Sequence, residues 1–202
     1  MKNKIKELLL STKREGIENL IKHMEEQGFF KAPCSTQYHL SKEGGLAEHS
    51  LNVYKQANIF AATCLDPDDY DKMHDSIVIT ALLHDIGKMG QFNKTNYVPN
   101  MLKGRATKAN PNPEPYQSTA KPYISNPELL YVDHEVRALS IISKFIDLTE
   151  EEQQAILWHN GLYGSFKYQI QGNETPLYLI LHYADMWASR VVEVETQKET
   201  EE

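Results

Sequence analysis

The sequence predicts an all-α protein built as a single helical domain. Three observations predict it. Apolar residues recur at i, i+3 and i+4 spacing in segment after segment. Helix-starting signals stand at the heads of three of those segments. No apolar/polar alternation persists long enough to read as a strand.

Taken in order, residues 1–28 read as one or two amphipathic helices, with Ile17, Leu20, Ile21 and Met24 on one face and Gly28 as a stop. The stretch "FFKAPCSTQYHLSKEGG" is a loop. A long helix runs from about Leu46 to Leu65. The break "DPDD" ends it and caps the next helix, which runs to about Asp85. Residues 90–127 hold most of the nine prolines and predict a long irregular loop. Loops of that length inside a compact domain are functional or disordered. A helix then runs from about Asp133 to Phe145. Another opens with a capping box, Thr149 to Glu152, and reaches His159. "YGSFKYQIQGNE" connects it to a last helix that starts at Thr175 and Pro176. The organisation is an N-terminal helical extension and loop over 1–43, a main domain over 44–192, and a disordered acidic tail over 193–202.

Composition narrows the class. The chain has 202 residues, 41% hydrophobic and 24% charged, ordinary for a soluble globular domain. No apolar run reaches the roughly 20 residues of a membrane span, and the N-terminus lacks the apolar core of a signal peptide. Cys34 and Cys64 make no disulfide framework and no CxxC pair, so a reduced, cytoplasmic compartment is expected. The net charge is −7, and "EVETQKETEE" supplies four of those charges. Such a body is a poor footing for long nucleic acid, but a small anionic substrate remains compatible. Oligomeric state is left open.

The informative residues are ionisable ones on apolar faces. In the 46–65 helix, His49 and Ser50 share the stripe of Leu46, Val53, Ala57, Phe60 and Ala61. Ile77, Val78, Ala81 and Leu82 lead to His84 and Asp85. The face of Ala138, Ile141, Ile142 and Phe145 lands on His134 one turn earlier. Ala155 and Ile156 precede His159 on one face, and Asp185 lies among Leu177, Ile180, Leu181, Ala184 and Ala188. Any one of these histidines reads more simply as a hydrogen-bonded core residue. Together they differ: buried imidazoles and carboxylates are costly unless paired or bound to metal. Four histidines and two aspartates aimed at one interior suit divalent Mn, Fe or Zn, and the lack of a thiolate in the set disfavours a structural zinc. His23 and His74 read as surface residues, His182 as off the stripe, and His39 as a candidate supporting residue.

"GGLAEHS" with His49, "LLHDIGK" with His84 and Asp85, and "LHYADMWAS" with Asp185 resemble the HD superfamily of metal-dependent phosphohydrolases, over roughly Gly44 to Arg190. His134 and His159, falling between the His-Asp pair and the last aspartate, are similar to its binuclear pattern. The resemblance implies an HD-type helical bundle and two divalent ions. Asp85 would bridge, His49, His84 and Asp185 would hold one ion, and His134 and His159 the other. A metal-activated water would attack phosphorus. Lys88 stands where HD-type deoxynucleoside monophosphatases carry an acidic residue. "WHNGLYGSF" lacks the paired histidines and GYP of the cyclic-di-GMP phosphodiesterases. The expected activity is hydrolysis of a small phosphorylated, nucleotide-derived substrate, as a phosphodiesterase or nucleotide hydrolase. Lys88 is the first candidate to touch phosphate, with helix-end stabilisation as its simpler role; Arg137 is the second. Lys103, Arg105 and Lys108 read first as solvated loop residues. The alternatives are a single-metal nucleotide phosphomonoesterase and a non-catalytic ligand-binding module of the same fold.

Overall fold

The computed structural model describes residues 1–108, 110–164 and 168–194. Most of the tail assigned to 193–202 therefore lies outside the described residues. Among those described, seven α-helices carry the fold: α1 (Lys2–Ser11), α2 (Ile17–Glu26), α3 (Gly45–Cys64), α4 (Pro67–Leu83), α5 (His134–Ile142), α6 (Glu150–Trp158) and α7 (Pro176–Trp187). The last continues as a π turn over Ala188–Val192.

Helix starts follow local chemistry. Asp66 caps α4 by accepting from the Asp69 amide, with Pro67 at the first helical position. Thr149 and Glu152 form the capping box of α6. Thr175 caps α7 ahead of Pro176. The N-terminal helices are not set apart from the rest. Ile5, Leu9, Leu20 and Met24 share one core with Val78, Leu82 and Leu83 of α4 and Ile141 of α5. A second cluster joins Val53, Ala57, Ile77, Ala155, Leu181 and Ala184 of α3, α4, α6 and α7. Arg14 clamps the N-terminal pair to α6 with two bonds to the buried Glu152 carboxylate, at 2.7 and 3.0 Å.

The stretch expected to be wholly irregular contains strands. β1 (Tyr97–Pro99) pairs antiparallel with β4 (Tyr123–Ser125), and β2 (Met101–Leu102) with β3 (Tyr116–Gln117). The chain leaves along β1–β2 and returns along β3–β4 as a two-tier ribbon. The Tyr123 amide ties it to Thr36 O. Each ladder is only two or three residues long, too short for an alternating pattern to show, and prolines at 99 and 122 further disguise it.

Candidate metal centre

The site is built at the end of α4. This helix starts in solvent and buries every residue from Ile77 to Leu83. Full burial of an aliphatic side chain contributes about 1.5–3 kcal/mol, so Leu82, Leu83 and Ile86 together hold the helix end in the interior. His84 is the C-cap, and Asp85 precedes a 3-10 turn over Ile86–Met89. Both are effectively inaccessible to solvent. Gly87 makes room for His134: a Cβ there would lie 2.1 Å from His134 O. The first turn of α5 thus sits against the turn that follows Asp85.

Four imidazoles surround Asp85. Its Oδ2 is 3.5 Å from both His49 Nε2 and His84 Nε2. Its Oδ1 is 3.2 Å from His134 Nε2 and 3.5 Å from His159 Nε2. Asp185 closes the first pair, with Oδ1 3.2 Å from His49 Nε2. His49 Nε2 and His84 Nε2 are themselves 3.3 Å apart.

The opposite ring nitrogens explain the orientation. His84 Nδ1 donates to Ala81 O at 3.0 Å, and His159 Nδ1 to Ile156 O at 2.8 Å. A carbonyl only accepts, so both protons sit on Nδ1, and in the neutral rings Nε2 presents a lone pair. His49 Nδ1 meets Glu193 Oε1 at 2.9 Å, and His134 Nδ1 meets Glu135 Oε2 at 3.3 Å. All four rings therefore turn Nε2 toward the aspartates. Carboxylates and carbonyls behind ligating histidines fix the tautomer and raise ligand basicity.

A buried ring of acceptors needs positive charge. Two groups of this kind could hold a metal ion: His49, His84 and Asp185, and His84, Asp85 and His159. The donor set fits a divalent ion of the Mn, Fe or Zn type. A specific sign of it is Asp85 Oδ1, a wholly buried carboxylate oxygen without a hydrogen-bond partner. In the protein alone, Lys88 Nζ supplies part of the charge at 2.6 Å from Asp85 Oδ2. Burial would raise the Asp85 carboxyl, but Lys88 and the histidines more than offset it and hold it well below the ordinary range. Burial likewise lowers His49, yet the Asp185 and Glu193 carboxylates bonded to it outweigh this and leave the ring well above its usual value. His84 is lowered, chiefly by burial.

All six expected ligands come together. Lys88 is also present, bonded to Asp85. Arg137 is placed differently: it is buried, with its two terminal nitrogens bonded to Gln91 Oε1 and Leu130 O, at the two ends of the ribbon.

Three neighbours were not assigned to the site from the sequence. Glu193 fell in the presumed tail, yet it is buried behind His49. Its signal was one more acidic residue on the helical phase of Asp185, masked by the acidic run that follows. His182 donates from Nδ1 to His159 O at 2.7 Å and so fixes the backbone of one of the four histidines. Asn160 Nδ2 lies 3.2 Å from His134 Nε2 and 3.3 Å from His159 Nε2, and bonds Glu135 Oε1.

No protein-family model matches the chain, and no curated protein or solved structure matches it either.

Proposed function

We propose that the chain is a metal-dependent phosphohydrolase of the HD type, holding two divalent ions and acting on a small phosphate ester. One observation carries the reading. Each oxygen of Asp85 faces its own pair of imidazole Nε2 atoms, His49 and His84 on one side and His134 and His159 on the other. That is the arrangement a bridging carboxylate requires. Asp185 completes the first set. Bound divalent ions would supply an activated water near neutral pH and would take charge from the phosphate oxygens. The chain's own part is to orient the six ligands, exclude bulk water from Asp85 and place an ammonium beside it. Lys88, bonded to Asp85, is the first candidate to meet a substrate phosphate. Tyr97 at the foot of the ribbon is half-buried and close enough to Lys88 and Asp85 to feel their charges, which makes the ribbon a candidate wall of the substrate site.

A single-ion phosphomonoesterase has one observation in its favour: the Asn160 amide already occupies His134 Nε2 and His159 Nε2. That pair would then bind substrate rather than metal.

Metal analysis after loading with Mn²⁺, combined with hydrolysis of bis(p-nitrophenyl) phosphate, tests the proposal. Close to two ions per chain and diester hydrolysis lost in Asp85→Asn are expected. One ion per chain, unchanged in His134→Ala, together with turnover of monoesters alone, would move the assignment to the single-ion enzyme. A loaded protein that hydrolyses neither ester class leaves a binding module.

A further inference from the structure

Behind His49, on the side away from Asp85, lies a second cluster of ligand-type side chains that the proposed reaction does not use. Cys34 Sγ is 3.4 Å from His39 Nε2, and His39 Nε2 is 3.9 Å from Glu193 Oε2. Cys34, His39 and His49 offer ligand atoms that all lie within 4.8 Å of one another. The residues come from distant parts of the chain. Cys34 and His39 belong to the loop before α3, and Glu193 follows the π turn that ends α7.

An ordinary S–H···N hydrogen bond would account for Cys34 and His39. It leaves Glu193 unexplained. Oε1 of Glu193 is engaged by His49 Nδ1 and by Asn52 Nδ2 at 3.2 Å. Oε2 is buried and has no hydrogen-bond partner, and the residue is 1% exposed. A buried carboxylate oxygen left bare is costly, and here it faces His39 Nε2, the atom that also meets Cys34 Sγ.

We propose that Cys34 Sγ, His39 Nε2 and Glu193 Oε2 form a site for one borderline-soft divalent cation of the zinc class, separate from the His/Asp centre and joined to it through Glu193 and His49. Thiolate, imidazole and carboxylate are the ligand set zinc accepts. Bond lengths of about 2.3 Å to sulfur and about 2.0–2.1 Å to nitrogen put tetrahedral ligand atoms roughly 3.5 Å apart. The Cys34–His39 spacing already matches, and the His39–Glu193 spacing needs to close by a few tenths of an ångström. The loop has an approach from solvent: a cleft of about 630 Å³ reaches His39 past Tyr38, Ser189 and Arg190. Burial pushes the Cys34 thiol up to about 11, so without metal it is protonated. Binding forms the sulfur–metal bond and releases that proton to solvent. The His39 ring, pushed down to about 4 by burial and then by His49 and Lys88, offers a lone pair with no proton to lose. Such an ion would staple the loop before α3 to the end of α7, and so fix Glu193 behind His49.

The site stands apart from the proposed hydrolysis, and its test measures no turnover. Cys64 is exposed, so Cys64→Ser keeps the fold and leaves Cys34 as the one thiol. Titrated with Co²⁺, that protein should develop a thiolate-to-cobalt charge-transfer band in the near ultraviolet, with the intensity of one sulfur ligand. The band should vanish on adding Zn²⁺ and should be absent once Cys34→Ser is also introduced. His134→Ala, which alters the neighbouring centre, should leave it intact. Cobalt-loaded Cys64→Ser protein showing only d–d bands would overturn the proposal and reduce Cys34 to a hydrogen-bond donor to His39.

Discussion

Glu193 Oε1 lies 2.9 Å from His49 Nδ1, across 144 residues of sequence. The carboxylate is held below its ordinary range: burial opposes this, but His49 and then His39 and Asn52 prevail. This pair connects the end of the last helix to the first histidine of the candidate centre. Removing the charge should therefore act through His49. Glu193→Gln is expected to weaken Mn²⁺ binding at the His/Asp centre by about 10- to 100-fold, the usual effect of losing a carboxylate behind a ligating histidine. Calorimetric titration measures it. Unchanged Mn²⁺ affinity beside a lowered melting temperature would make Glu193 a packing residue.

Gly87 is a second long-range dependence. Its missing Cβ lets His134 O approach, and an added methyl would meet that oxygen at 2.1 Å. Backbone on both sides leaves little to give, so α5 must shift. Gly87→Ala should cost roughly 1–3 kcal/mol, as overpacked sites do, and should weaken metal binding because His134 moves with the helix. Thermal melts with and without Mn²⁺ give both quantities. A variant with wild-type stability and metal content would mean the approach is looser than the structure has it.

What the sequence made legible follows from what repeats along the chain. Helical phase is local, so His49, His84, His134, His159 and Asp185 could each be placed on an inward face from a few neighbours. Their meeting point could then be inferred because apolar faces must converge. The caps at Asp66, Thr149 and Thr175 were equally local. Other features depend on partners far away in the chain. Glu193 looks like one more charge in an acidic run until His49 is beside it. Lys88 could be read as a phosphate candidate or as a helix-end lysine, and only the fold shows it 2.6 Å from Asp85 Oδ2. Arg137, one turn after His134, shares its helix but packs against Gln91 and Leu130 at the ribbon's ends. The ribbon itself pairs residues that lie 14 to 28 positions apart in ladders of two or three. No window of alternation is long enough to announce that.

The Arg14–Glu152 clamp gives the fold an acid-sensitive joint. Burial would raise Glu152, but Arg14, the Thr149 amide and Ser76 together lower it. A carboxylate depressed in the folded state contributes stability above its unfolded value, about 4.3, and that contribution is lost as pH falls through the folded value. Breaking a buried pair costs about 3–5 kcal/mol, and the partial exposure of Arg14 discounts this to about 2 kcal/mol. Arg14→Gln should therefore be less stable than wild type at pH 7, and the gap should narrow as pH falls below about 4.3. Urea unfolding of the two metal-free proteins at pH 7, 5 and 3.5 reads this directly. A gap that stays constant with pH would show that Arg14 acts through packing alone.

Lys88 joins the metal-free and metal-bound states of the site. Its ammonium, held well above its ordinary value because Asp85 outweighs the burial that would lower it, sits on the oxygen facing His49 and His84. Two effects of Lys88→Met follow, and they are separable. Without metal, Asp85 loses its nearest cation, and a buried pair broken on one side destabilises by about 3–5 kcal/mol. Saturating Mn²⁺ should restore most of that loss, because the ions then supply the missing charge. With metal, the proposed contact to a substrate phosphate disappears. Charged hydrogen bonds are worth about 1.5–3 kcal/mol, so kcat/KM for bis(p-nitrophenyl) phosphate should fall on the order of 10- to 100-fold, with metal content unchanged. Melting curves with and without Mn²⁺, metal analysis and steady-state kinetics on one variant distinguish the two. A metal-rescued melting temperature with wild-type kcat/KM would confine Lys88 to balancing the charge of Asp85, and the phosphate contact would have to be sought elsewhere.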